Sequence, residues 1–142
     1  MLTLKMEIKL NKLPGLAARA HQALSRALAD TAKTVRDEAQ AGTNRVDTGA
    51  MEAGWFTVAT NADTYEAAVS AAAELNPNAQ IMEKPFLEGD SEAWIGNVVD
   101  YAIFNEMGTV RMAADPMLIP AMETVKDTFP AAVGRAIGQA AG

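Results

Sequence analysis

The chain has 142 residues, of which 49% are apolar, with a formal net charge of -6, one histidine and no cysteine. That length and apolar share suit one domain that buries roughly two-thirds of its unfolded surface without covalent staples. Lacking cysteine and carrying only His21, it all but excludes disulfides, thiolate nucleophiles, Cys/His zinc sites and serine chemistry with an ordinary histidine base.

The opening MLTLKMEIKL alternates. Leu2, Leu4, Met6, Ile8 and Leu10 interleave with Thr3, Lys5, Glu7, Lys9 and Asn11, which predicts a strand over 2–10 with one apolar face. It pairs in its own sheet or adds to the edge of a neighbour. The alternation is unlike the continuous apolar block of a signal peptide, and no run of spanning length follows, so a soluble protein made in the cytoplasm is expected. Pro14 suits a first helical turn, and beyond Leu16 the residues Ala20, Leu24, Leu28, Thr31, Val35 and Ala39 form a stripe at spacings of three and four. The helix expected over 14–41 ends before Gly42 and is about 40 Å long. Either its outer end projects or part of it packs on another copy.

Within RVDTGAMEAG, Asp47 or Thr48 is placed to cap a short helical turn through Glu52, and Gly54 releases the chain into a strand. Residues 55–60 and 65–73, joined by Asn61–Thr64, read as a hairpin spanning about 54–73, although the alanines of the second segment also favour helix. Residues 74–92 read as a loop in which Phe86 and Leu87 offer an anchor to their own domain or to a partner. A strand is expected over 93–99, with Trp94 and Ile95 in the core. Tyr101 and Phe104 read as core residues or as an intersubunit contact. A last helix over about 116–138 carries Leu118, Met122, Val125, Phe129 and Val133; Pro116 and Pro120 brace its start, Pro130 kinks or divides it, and Gly134 and Gly138 weaken its end. These elements predict one α+β domain over 1–142, a small mostly antiparallel sheet packed against a long N-terminal helix and a C-terminal helix.

YAIFNEMGTVRMAADP, residues 101–116, embeds Glu106 in an apolar run. A bare carboxylate there costs several kcal/mol, so it must find donors. The candidates are backbone N–H groups at the turn around Gly108 and Thr109, the start of the last helix, whose dipole favours an anion, or the guanidinium of Arg111 or Arg45. In this role Glu106 fastens 101–109 to the DTGA turn and to the loop before Pro116, and Gly108 supplies a positive φ or a close approach. The alternative is a small acidic hydrolase pairing Glu106 with Asp100 or Asp115, although no companion base is evident. His21 is expected to face solvent or a carboxylate, and the eight methionines suit adaptable packing.

Charge is divided along the chain. Residues 1–45 hold eight Lys/Arg against four Asp/Glu, or +4, and residues 46–142 hold four against fourteen, or -10. Solvated faces explain this, as does contact between acidic and basic halves of neighbouring copies. A grip on nucleic acid is disfavoured, because no basic stripe is interleaved with aromatics.

VDTGAM (46–51), AWIGNVVDYA (93–102), FNEMGT (104–109) and MAADPMLIPAM (112–122) together resemble the head-to-tail joining family of long-tailed bacteriophages, also called tail-completion or minor tail proteins. In that family a Val-Asp-Thr-Gly turn follows a long helix, a later segment runs Tyr-Ala through Glu to Gly-Thr, and Met-x-Ala-x-Pro-Phe-Leu-x-Pro-Ala opens the last helix. Met107 stands where an aromatic is usual and Met117 where Phe is usual. The resemblance implies a virion structural protein without catalysis or cofactor, forming a ring, plausibly a hexamer, where tail meets capsid. Its partners are then copies of itself, the tail tube or tail terminator protein and head connector proteins, with DNA only as passing cargo and no membrane. Asp47, Thr48, Gly49, Tyr101, Phe104, Glu106, Gly108, Thr109, Arg111 and Pro116 become structural or interface candidates. A tail terminator that stops tube growth is the alternative within the same setting. In a ring, the acidic residues after position 46 would repel passing DNA if they line the channel.

Overall fold

The computed structural model describes residues 2–7 and 17–141. Ile8, Leu10, Pro14 and Leu16, expected in the first strand and at the head of the first helix, lie outside the described residues. In chain order the elements are β1 (Leu2–Glu7), α1 (Ala17–Ala41), α2 (Ala50–Ala53), β2 (Trp55–Ala59), α3 (Tyr65–Leu75), β3 (Glu92–Asn97), α4 (Ala102–Met107), α5 (Leu118–Lys126) and α6 (Phe129–Ala141). The class is α+β, with a long N-terminal helix, C-terminal helices and one antiparallel sheet in the order β1-β3-β2.

The register explains why alternation mattered in β1. Leu4 and Thr57 both lie opposite Ile95, so Leu2, Leu4 and Met6 share the face that β3 buries through Ala93 and Ile95. The terminal strand therefore pairs in its own sheet, antiparallel to β3. Helix α1 covers that face through Ala20, Leu24, Leu28, Val35 and Ala39, all buried, and packs on β2, β3, α5 and α6. Along its described length α1 packs on elements of its own chain. Gly42 N–H reaches back to the Glu38 carbonyl at 2.9 Å as the helix ends.

The hairpin expected over 54–73 does not form. Residues 65–75 are helix α3, and β2 pairs with β3 instead. Tyr65, Ala68 and Ala72 are buried at spacings of three and four, so the alanine content prevailed over a weak strand pattern. The connector still ties itself to β2: Thr57 N–H donates to the Thr64 hydroxyl at 2.8 Å, and Thr64 N–H donates to the Thr57 carbonyl at 2.8 Å. On the second face of the sheet Phe56 meets the Tyr65 ring edge-on at 5.1 Å.

The long connection after α3 is pinned at several points. Met82 N–H donates to the Val98 carbonyl at 3.0 Å, the Tyr65 hydroxyl donates to the Met82 carbonyl, and Ser25 Oγ donates to the Asp90 carbonyl at 2.6 Å. His21 meets the Asp90 carboxylate at 3.3 Å, the carboxylate partner anticipated for it. Leu87 packs on the core while Phe86 stays exposed, so only the first of the two anchors to its own chain. At the end of β3, Asn97 is wholly buried; its amide donates to the Met51 carbonyl at 2.7 Å and its carbonyl accepts Val99 N–H at 3.1 Å, tying α2 to the sheet. The last helix is two helices. Pro130 sits at the second residue of α6, where a missing N–H costs nothing, so it divides the expected helix after Lys126.

One ion pair spans β1 and β3. Lys5 Nζ lies 2.7 Å from Glu92 Oε1 and 5.9 Å from the centre of the Trp94 ring. The bond from Lys5, then the Glu88 N–H, hold the Glu92 carboxyl below its ordinary value of 4.5, and the bond to Glu92 raises Lys5 above 10.5. The sign follows from linkage: a depressed carboxylate stabilises the fold fully above its unfolded value and ceases to do so as pH falls through the folded one. Comparing urea midpoints of wild type and Glu92→Gln should therefore give a constant gap from neutral pH down to about 4.5, narrowing below it. On the alkaline side the raised Lys5 predicts a gap that persists through 10.5 and closes above it.

Candidate functional site

The short helix α4 escaped the sequence reading, which had only a turn between the last strand and the last helix. It aims Glu106 inward. The side chain is 3% exposed, and both oxygens accept backbone N–H groups: Oε2 from Met117 at 2.6 Å and Leu118 at 3.0 Å, and Oε1 from Ile119 at 2.8 Å. Pro116 and Pro120 carry no N–H, so residues 116–120 offer only these three donors, and Glu106 takes all of them. An α-helix leaves its first N–H groups without internal partners. Here the N-cap Met117 and the first turn of α5 are satisfied by one carboxylate from another helix, placed where the helix dipole favours negative charge.

Of the donors anticipated for Glu106, the start of the last helix is the one used. The turn around Gly108 and Thr109 bonds elsewhere: Gly108 N–H closes α4 onto the Phe104 carbonyl at 2.9 Å, and Thr109 N–H reaches the Met112 carbonyl at 2.8 Å. Neither arginine reaches Glu106. Arg45 donates to the Ala113 carbonyl at 2.9 Å and lies 3.6 Å from the Asp115 carboxylate, while Arg111 is exposed. Arg45 thereby joins the segment after α1 to the loop before Pro116, a contact that sequence reasoning placed on the wrong carboxylate. Asn105 is a further member it missed. Its carbonyl group accepts Asp115 N–H at 2.7 Å through the backbone, and its side chain touches Met51 Sδ at 3.3 Å. The four-residue spacing from Tyr101 was the available signal, legible only once 102–107 is read as helix.

The DTG turn forms the other half of the site. Gly49 has φ 86°, a conformation open to glycine, and Thr48 Oγ1 accepts Ala50 N–H at 3.2 Å at the head of α2; Asp47 is exposed and caps nothing. Tyr101 and Asn105 line an open cleft of about 450 Å³ against residues 45–49, Met51, Glu52 and Asn76. Thr109, Arg111 and Pro116 are exposed. Phe104 is 53% exposed and not core, because Ala102 and Glu106 occupy the buried face of α4 and turn Phe104 away from it. Ile103, Met107 and Val110 are exposed beside it in the chain, Val110 fully.

This arrangement does not suit Glu106 to hydrolysis. Both its oxygens are engaged by backbone amides, and it does not line the cleft. Among the described residues no cluster of three or more His, Cys, Asp or Glu could hold a metal, and no helix is long and apolar enough to cross a membrane.

The buried carboxylate of this α+β unit is consumed in bracing its own backbone, and the braced segment presents apolar side chains to solvent. Residues 5–108 match the family described as "Bacteriophage HK97-gp10, putative tail-component", and the chain belongs to that family. A bacteriophage tail component is a virion protein that works among other phage structural proteins. The match ends at Gly108, so the resemblance noted over 112–122 lies beyond it. Neither the curated proteins nor the solved structures include a match to this chain.

Proposed function

We propose that this tail component joins head to tail, assembling as a ring of identical copies, plausibly six, at the junction between the tail and the head connector. The observation that carries the reading is the braced apolar segment. Ile103, Phe104, Met107 and Val110 are exposed along one stretch of eight residues that Glu106 fastens to α5, while Arg45 holds the chain just beyond it at Ala113. Exposed apolar side chains grouped on a rigid segment are what a protein–protein interface needs, and their cost in water is recovered on assembly.

In this role the protein is not an enzyme and takes no cofactor. It contacts copies of itself, the tail tube or tail terminator protein on one side and head connector proteins on the other. DNA passes through as cargo. The acidic second half of the chain then suits a channel that repels phosphate. Light scattering after size exclusion, with the chain alone and mixed with purified tails, is expected to show a ring on the tail end. Deleting the gene is expected to leave tails of normal length unattached to filled heads. Overlong tubes after deletion would instead assign the terminator role, and a chain that stays monomeric and ignores tails would refute the reading.

A further inference from the structure

Two features of the chain are complementary but do not meet within it. One is the cleft of about 450 Å³, whose lining includes Val46, Asp47, Met51, Glu52 and Tyr101. Asp47 and Glu52 are exposed, and among the described residues neither has an ion-pair partner. The other is the turn Thr109–Met112, closed by the Thr109 N–H at 2.8 Å from the Met112 carbonyl. Val110 at its tip is fully exposed, and Arg111 beside it likewise has no carboxylate partner among the described residues. No residue of the turn lines the chain's own cleft.

We infer that the Thr109–Met112 turn of one copy seats in the cleft of the next, with Val110 against Val46, Met51 and Tyr101 and Arg111 between Asp47 and Glu52. This rests on the ring reading above and adds the contact that joins neighbours. Charge selects the occupant. After position 45 the chain has only four basic residues, Lys84, Arg111, Lys126 and Arg135. Lys84 is held by Asp63 and Lys126 by Glu123. That leaves Arg111 and Arg135 without a carboxylate among the described residues after position 45, and of these Arg111 adjoins a fully exposed apolar side chain, Val110, while the cleft offers two carboxylates with no ion-pair partner among the described residues around an apolar floor. Guanidinium–carboxylate bonds fix orientation, and opposite charges steer the encounter. A patch that meets a different patch makes a heterologous contact, the kind that closes into a ring when the rotation permits. Arg45 serves both halves, since it borders the cleft and also holds Ala113, just beyond the turn.

The absence of cysteine makes the contact easy to test. Val46→Cys and Val110→Cys, combined in one chain and treated with a short bismaleimide on assembled tails, should give a ladder of trimers and larger species. Either single variant should stop at dimers. Arg111→Glu should reduce the ladder about tenfold, and adding Glu52→Arg should restore it; circular dichroism of each variant confirms that the fold is kept. If wild type assembles as a ring while the double variant links no further than the singles, this contact is wrong and the ring reading stands. Linkage of Val110→Cys to a different virion protein in place of a copy refutes it as well. A wild-type chain that remains monomeric on tails refutes both.

Discussion

Replacing Glu106 with alanine is expected to cost about 4 kcal/mol of folding stability, since it strands three amide donors in or beside the core and each buried orphan costs on the order of 1–3 kcal/mol. The donors of Met117, Leu118 and Ile119 all converge on this one carboxylate, whose 3% exposure leaves little access for water. Set against a typical stability of about 5–15 kcal/mol, the loss is large. Glu106→Gln keeps one acceptor oxygen but turns an NH₂ group toward an amide donor, so about half the penalty is expected. The difference between the two substitutions separates a bond-making role from mere filling of space. Urea unfolding followed by the fluorescence of Trp55 and Trp94 measures it. An alanine variant within about 1 kcal/mol of wild type, the spread of ordinary surface changes, would show that the amides have other partners. Hydrogen exchange should localise the damage, with the amides of α5 accelerating before those of β2 and β3.

Gly108→Ala should be nearly as costly, at about 3 kcal/mol, for a steric reason and not an electrostatic one. Gly108 has φ 74° and ψ 175°, a region that side chains with a Cβ hardly enter. A Cβ built there would stand 2.7 Å from Ala114 N and 3.0 Å from the Met112 carbonyl oxygen. Both are backbone atoms and cannot rotate aside. The chain would have to open between residues 108 and 114, releasing the Thr109–Met112 turn. Trypsin reports that directly, because Arg111 is the basic residue in the turn: the variant should be cut there under conditions in which wild type resists, with a parallel fall in the urea midpoint. A variant with wild-type stability and unchanged cleavage would mean that the turn tolerates another backbone path.

The two substitutions also connect stability to assembly. Each loosens the segment that carries Ile103, Phe104, Met107 and Val110. Under the proposed function each should therefore weaken ring formation by more than its loss of folded protein explains. The apolar side chains themselves remain, but presenting them to a neighbour then requires ordering a mobile loop, and that conformational entropy opposes binding.

Much of the site was legible in the sequence for a local reason. Alternation in 2–7, the stripe along α1, the helix breaks before Gly42 and at Pro130, and the demand of Glu106 for donors all follow from chemistry within a few residues of each position. The start of the last helix was correctly among its candidate partners, because a helix N-terminus is an anion site wherever it lies. The two prolines at 116 and 120 even limit how many donors that terminus has. Composition was misread at 65–75, where alanine content pointed to helix and weak alternation was preferred.

What only the tertiary structure decided is which groups meet. The order β1-β3-β2, the pairing of Arg45 with Asp115 in place of Glu106, and the outward turn of Phe104 depend on how segments far apart in the chain approach one another. Hydrophobic periodicity marks which face of an element avoids water but carries no information about what covers it. In α4 the buried positions of Ala102 and Glu106 direct Phe104 outward, so an aromatic residue that looked like core became part of the exposed surface. Local propensity therefore determined the elements and the need for a lock, and long-range packing determined where the lock closes and which apolar side chains remain for a partner.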